Sequence, residues 1–184
     1  EITAMAEALG GTPASVFLGG AATEARVKNM DLSRYQVLAF ATHAFTAGEM
    51  LGEPGLALTP PETATEEDDG LLTAGEIARL KLNADWVILS ACNTAAPDGS
   101  PAAEGLSGLS RAFLFAGARS LLVSHWPVDS RATARLTTRM LQEMRQNPGL
   151  ARHEALRRAM LAMLSGSELY SHPLFWAPFV VVGA

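Results

Sequence analysis

Two rhythms of apolar residues alternate along this chain. Helical spacing comes first: Ile2, Met5 and Leu9 share one face, and Gly10-Gly11 is a helix stop. Val16-Phe17-Leu18 then predicts a short strand ending in Gly19-Gly20, and Thr23 is placed to cap a helix over Glu24 to Met30. Tyr35 to Thr42, Y-Q-V-L-A-F-A-T, is an apolar run of strand length, and His43 closes it. From Ala44 to Leu72 the rhythm breaks, because Gly48, Gly52, Pro54, Gly55, Pro60 and Pro61 punctuate short apolar pieces. This predicts an excursion in which Leu56 to Thr59 and Leu71-Leu72 are hairpin strands around an acidic loop. Thr73-Ala74-Gly75-Glu76 has capping-box spacing, so a helix starts there and runs to about Leu80.

The next run, W-V-I-L-S-A-C-N-T from Trp86 to Thr94, is the densest apolar stretch. Trp86 to Leu89 is continuous, rich in strand formers and too short for a helix, which predicts a strand buried on both faces. Ala95 to Glu104, with Pro97, Gly99 and Pro101, is a loop; Leu106, Leu109, Phe113 and Ala116 then mark a helix face ending at Gly117. Ser120 to Ser124 predicts a third buried strand, running into His125-Trp126-Pro127-Val128-Asp129. A helix from about Ser130 to Gln146 carries Leu136, Met140 and Met144 on one side and Arg131, Arg135 and Arg139 on another, a solvated face. Asn147-Pro148-Gly149 breaks it; Leu156, Ala159, Met160, Met163 and Leu164 outline another helix, and Phe179 to Val182 is a last buried strand. Strands buried on both faces belong to parallel sheets under helices, so the expected class is α/β, a three-layer α/β/α sandwich with a mostly parallel central sheet.

Composition narrows the setting. A length of 184 residues, 48% apolar, suits one domain with a sizeable core and excludes a disordered chain. The single cysteine allows no internal disulfide, which favours a cytoplasmic home. No apolar stretch reaches the roughly 18 to 20 residues of a membrane span, so no membrane partner is expected. The chain begins at Glu1 within a predicted helix, which suggests a fragment of something longer. The net charge of −5 divides unevenly: residues 1 to 130 hold 7 Lys and Arg against 16 Asp and Glu, and residues 131 to 184 hold 7 against 3. There is no basic stripe with stacking aromatics, so direct nucleic-acid binding is not expected. The run Glu66-Glu67-Asp68-Asp69 is most simply a solvated loop.

The chemistry lies where the strands end. In an open parallel sheet, reacting groups gather beyond the carboxyl ends of the strands. Two strand ends stand out, one closed by His43 and one leading to Cys92, 49 residues later. If both strands share one parallel sheet, thiol and imidazole emerge on the same edge. A thiol is a strong nucleophile only as thiolate, and imidazole can take or shuttle its proton near neutral pH, which is the chemistry of a cysteine peptidase. Rival readings fare worse. A metal site from Cys92, His43 and His125 lacks paired ligand spacing, and no metal or cofactor is expected. His153-Glu154 has no second histidine four residues on, Gly105-Leu106-Ser107-Gly108 is not a serine-hydrolase elbow, and no nucleotide-binding glycine motif follows a strand. His172 precedes Pro173 and is expected to pack there.

Several stretches together resemble a known family. They are A-T-H at Ala41 to His43, D-G-L-L-T-A-G-E-I at Asp69 to Ile77, L-S-A-C-N-T at Leu89 to Thr94, and E-G-L-S-G-L-S-R-A-F-L-F-A-G-A-R-S at Glu104 to Ser120. W-P-V-D at Trp126 to Asp129 and H-P-L-F-W-A-P-F-V-V-V-G at His172 to Gly183 follow in the same order. The chain resembles the CHAT domain, a caspase-like module associated with tetratricopeptide repeats and related to caspases and separase. The resemblance implies one caspase-like domain over residues 1–184 and a cysteine endopeptidase with a His43/Cys92 dyad. Cys92 attacks the scissile carbonyl, and His43 handles the proton and protonates the leaving amine. The oxyanion is held by backbone N–H groups, those of Cys92 and of the residue after the histidine. Relatives usually carry glycine there; this chain has Ala44, which offers its N–H but resists positive φ. In separase-like relatives an acid after the third strand lines the pocket for the residue before the cut. Asp129 corresponds and favours arginine or lysine, although it is also an ordinary helix cap. Asn93 and His125 join it as substrate-binding positions, His125 being otherwise a residue held by the Trp126-Pro127 turn. The implied partners are a protein or peptide substrate and a regulatory repeat or sensor domain, the chain being one module of a larger bacterial protein. The alternative is a catalytically silent caspase-fold interaction module.

Overall fold

The structure is a computed structural model that describes residues 1–45, 52–65, 68–90, 108–127, 129–166 and 169–183. It falls into two units, one formed by Glu1–Val16 with Pro127–Val181 and the other by Phe17–Trp126 with Val182–Ala184. The architecture is mixed α/β, and the principal sheet has parallel pairings at its centre.

In the second unit the apolar runs become strands β1 (Val37–Ala41), β5 (Trp86–Ser90) and β6 (Ser120–Ser124). Between them the excursion supplies β2 (Ala44–Phe45), β3 (Gly55–Ala57) and β4 (Leu71–Thr73). With β7 (Phe179–Gly183), whose last two residues belong to this unit, the principal sheet has the order β1-β5-β6-β7. β5 is central and is buried from Trp86 to Leu89, as its unbroken apolar run demands. All of β1 is half-buried, in keeping with its place at the end of the described strand order. Helix α4 (Gly108–Phe115) buries Leu109 and Phe113, whose ring meets Phe40 of β1 at 5.5 Å between centroids. Gly117 ends that helix at φ +114°, where a Cβ would lie 2.3 Å from the Leu82 carbonyl oxygen, so only glycine lets the approach to β5 cross here.

Register in this sheet is tied down at the amino ends of the strands. The Trp86 N–H donates to the Gln36 carbonyl at 3.1 Å, the Arg119 N–H to the Ala84 carbonyl at 2.9 Å, and the Ser120 hydroxyl to the Asp85 carbonyl at 2.9 Å. Arg119 also pairs with the Asp85 carboxylate.

The excursion forms a second sheet of order β2-β3-β4, both pairings antiparallel. Helix α2 (Glu24–Asn29) is capped by Thr23, which accepts from the Arg26 N–H, and α3 (Ala74–Ile77) by the capping box of Thr73 and Glu76. Three expectations need correction. Val16-Phe17-Leu18 is not a strand: flanked by tight turns at Pro13–Ser15 and Gly19–Ala21, it has no partner strand to pair with among the described residues. The helix after Thr73 ends at Ile77, sooner than expected. β7 is buried only at Phe179, so it is a half-buried strand. The loop expected over Ala95 to Glu104, Gly105 and Leu106 lie outside the described residues.

In the first unit, α1 (Ile2–Ala8), α5 (Ser130–Gln146) and α6 (Arg152–Leu164) pair as α1 with α5 and α5 with α6. Met5, Ala132, Leu136, Met140, Ala155 and Ala159 form the interior. Thr137 lies on the buried face and donates its hydroxyl to the Thr133 carbonyl at 2.8 Å, so its polarity is absorbed by its own helix. The arginines of α5 are less purely solvated than their spacing implies. Arg139 pairs with Glu143 at 2.6 Å, and the Arg135 guanidinium sits 4.9 Å from the centroid of the Tyr170 ring.

Candidate active site

The strand ends that carry the expected chemistry share an edge. β1 and β5 run parallel with Ala41 opposite Ser90, and β5 and β6 run parallel with Val87 opposite Leu121 and Ile88 opposite Leu122. Continuing the second register by two residues aligns Ser90 with Ser124. His43 follows Ala41 by two residues and His125 follows Ser124 by one, so the two histidines leave the sheet at the same carboxyl rim. β5 lies between their strands, and adjacent strands are about 4.8 Å apart. Both histidines are exposed. Cys92 and Asn93 lie outside the described residues.

The backbone around His43 is held by the small sheet. The Ala57 N–H donates to the His43 carbonyl at 2.8 Å, and the Thr42 hydroxyl donates to the Ala57 carbonyl. The first bond spans the neighbours of Ala44 and Leu56, which makes that pair the non-hydrogen-bonded kind. In such a pair the residues' own N–H groups point away from the partner strand, so the Ala44 N–H is turned away from β3. Ala44 lies in a strand and therefore in extended backbone, which alanine adopts as readily as glycine.

The small sheet is anchored in turn by a carboxylate that the sequence pattern did not single out. Glu24 is 1% exposed; its Oε2 accepts the N–H groups of Asp69 and Gly70, each at 2.9 Å, and its Oε1 accepts from Lys28 Nζ at 2.6 Å. Lys28 also reaches Glu76 Oε1 at 2.6 Å, while Glu76 Oε2 accepts the Thr73 N–H at 2.9 Å. Burial alone pushes the Lys28 ammonium down, but its bonds to Glu24 and Glu76 outweigh this and hold its pKa above the usual lysine value. For Glu76, burial pushes up and is outweighed by the bonds from Lys28 and Thr73, which hold its carboxyl below the usual carboxylate value. The Glu24/Lys28 spacing of four residues was a visible helix pair; its link to Glu76, 48 residues from Lys28, was not. The expectation that Glu66 to Asp69 is simply solvated is corrected at its described end, where the Asp69 N–H is docked on Glu24.

Asp129 is the cap of α5: its Oδ1 accepts from the Arg131 N–H at 2.9 Å and the Ala132 N–H at 3.0 Å. His172 does not pack, as expected of it, but is exposed and caps the short turn Pro173–Phe175, its Nδ1 accepting from the Leu174 N–H at 3.2 Å. Among the described residues no three His, Cys, Asp or Glu side chains gather to hold a metal ion, and no helix is long and apolar enough to cross a membrane.

Comparison with known proteins matches the whole chain, residues 1–184, to the CHAT domain family. Tetratricopeptide repeat protein 28 of Mus musculus is 31% identical over 213 aligned residues, and that of Homo sapiens is 30% identical over the same span. Each alignment covers 100% of this chain, which spans only 8% of the length of either relative.

Proposed function

This chain belongs to the CHAT domain family, and from that premise we propose that it is a cysteine endopeptidase using Cys92 and His43. The family is caspase-like and associated with tetratricopeptide repeats. The observation that carries the reading is the register of the parallel sheet, with Ala41 opposite Ser90 at one rim and the chain running on to His43 from one strand and to Cys92 from the other.

The chemistry runs as follows. The Cys92 thiolate attacks the carbonyl carbon of the scissile peptide, forming a C–S bond while the carbonyl π electrons move to oxygen. Backbone N–H groups of Cys92 and Ala44 donate to that oxyanion; the orientation of the Ala44 N–H away from β3 favours this use. The oxyanion collapses, the C–N bond breaks, and His43 in its imidazolium form gives its proton to the departing amine nitrogen. Neutral His43 then takes a proton from water, the resulting oxygen nucleophile attacks the thioester carbon, and C–S cleavage returns the thiolate. Asp129, Asn93 and His125 bind the substrate, with Asp129 selecting a basic residue before the cut. The working form is a cytoplasmic three-layer α/β/α domain within a longer protein, with attached repeats or a partner controlling access.

Alkylation of Cys92 tests this. The thiol should react much faster than a free cysteine near neutral pH, and His43→Ala should slow it. Equal slow rates in the two proteins, with and without a repeat-containing partner, would leave the silent interaction module as the function. Cleavage of a peptide library by the wild type, lost in Cys92→Ala, gives the second arm.

A further inference from the structure

The geometry points to Thr42 as the positioning residue for His43, an inference that rests on the His43/Cys92 reading above. The β1–β5 ladder ends at Ala41, so the sheet itself does not fix the peptide that carries the histidine. Ala57 does so at two points. Its carbonyl accepts the Thr42 hydroxyl, and its N–H donates to the His43 carbonyl at 2.8 Å. The two bonds straddle the peptide between residues 42 and 43 and so set the direction in which His43 leaves the backbone.

Ala57 is itself held from behind. The Leu58 N–H donates to the Gly70 carbonyl at 2.7 Å, the Gly70 N–H to Glu24 Oε2 at 2.9 Å, and the Thr59 N–H to the Ala22 carbonyl at 2.9 Å. The clamp on His43 is therefore referred to a buried carboxylate on α2 and not to a free loop. The backbone half of the clamp forms with any residue at position 42, whereas the hydroxyl half needs threonine or serine. A general base displaced by a fraction of an ångström loses much of its effect, which gives the hydroxyl a chemical consequence as well as a structural one.

The test compares Thr42→Val, which keeps the shape and removes the hydroxyl, with Thr42→Ser, which keeps the hydroxyl. Thr42→Ala is the second hydroxyl-free variant should valine disturb folding, as judged by near-ultraviolet circular dichroism. Thr59→Val is the control, since the Thr59 hydroxyl bonds the Gly19 carbonyl elsewhere in the hairpin. Cys92 alkylation is followed from mildly acidic to mildly alkaline pH. Loss of the hydroxyl should slow the reaction near neutral pH by about 10- to 100-fold and displace the pH profile. Thr42→Ser and Thr59→Val should keep the wild-type rate and profile. An unchanged profile in both hydroxyl-free variants, an equal loss in Thr59→Val, or no recovery in Thr42→Ser overturns the inference. If wild-type Cys92 reacts like a free thiol, the peptidase reading fails and the position of His43 is read from its own ring resonances by NMR. These should shift in Thr42→Val and not in Thr42→Ser; ring resonances indifferent to both would overturn the inference by themselves.

Discussion

Asp129 Oδ1 accepts two backbone N–H groups at the start of α5, so the side chain already has one occupation before any substrate is considered. Cap residues rank by their ability to accept such bonds, and asparagine does so nearly as well as aspartate. Asp129→Ala should therefore cost about 1 kcal/mol in urea denaturation, while Asp129→Asn should leave stability nearly unchanged. The pair of variants separates the two roles. If the carboxylate selects a basic residue before the cut, Asp129→Asn abolishes that preference in a peptide library at full stability; a retained preference removes the pocket assignment. Thr73→Ala, which takes away the capping box of α3, should likewise cost about 1 kcal/mol. Both caps were legible in the sequence because capping is local. The Thr42 clamp was not, because nothing near position 42 announces that residue 57 will face it, and a threonine ending a strand reads first as a strand former.

At the scale of elements, the small sheet is an appendage whose attachment is polar. Glu24→Ala would leave the N–H groups of Asp69 and Gly70 and the Lys28 ammonium without their shared acceptor, at a cost of about 2 to 3 kcal/mol. Hydrogen exchange at the Leu58 and Gly70 amides should report it, with amides of β5 little changed. The attachment also has a pH window. Glu76 is depressed, so its contribution is present above the usual 4.5 and is lost as pH falls through its lower folded value. Lys28 is raised, so its contribution is complete below 10.5 and is lost as pH rises through its higher folded value. Protection of those two amides, corrected for intrinsic exchange, should thus be flat between these limits and fall outside them. Periodicity disclosed β3 and β4 and the long helices, because each carries its own apolar face or turn residues. It missed β2, two residues long, and it promoted Val16-Phe17-Leu18 to a strand although Leu18 is 58% exposed. A strand exists only if a partner edge is offered to it, and three apolar residues cannot say whether one is.

For the molecule as a whole, each unit has its own interior, and each should respond to truncation. Phe113→Ala in the second unit should cost about 3 to 5 kcal/mol, and Leu136→Ala in the first about 2 to 5 kcal/mol, both from equilibrium unfolding. The parallel sheet and its site-bearing rim were readable because doubly buried strands have a plain signature and parallel strands end on a common side. The alignment of one strand against the next was not, and the reason has a consequence. A strand apolar on both faces can slide by one residue and still bury the same kind of surface, so greasiness supplies no ruler. The ruler here is the group of bonds among Gln36, Ala84, Asp85, Arg119 and Ser120, at the end of the sheet away from the histidines. A slip of one notch there would advance everything downstream of β5 by about 3.3 Å and turn it to the other side. The phase of the reactive rim is thus set by residues that never come near it.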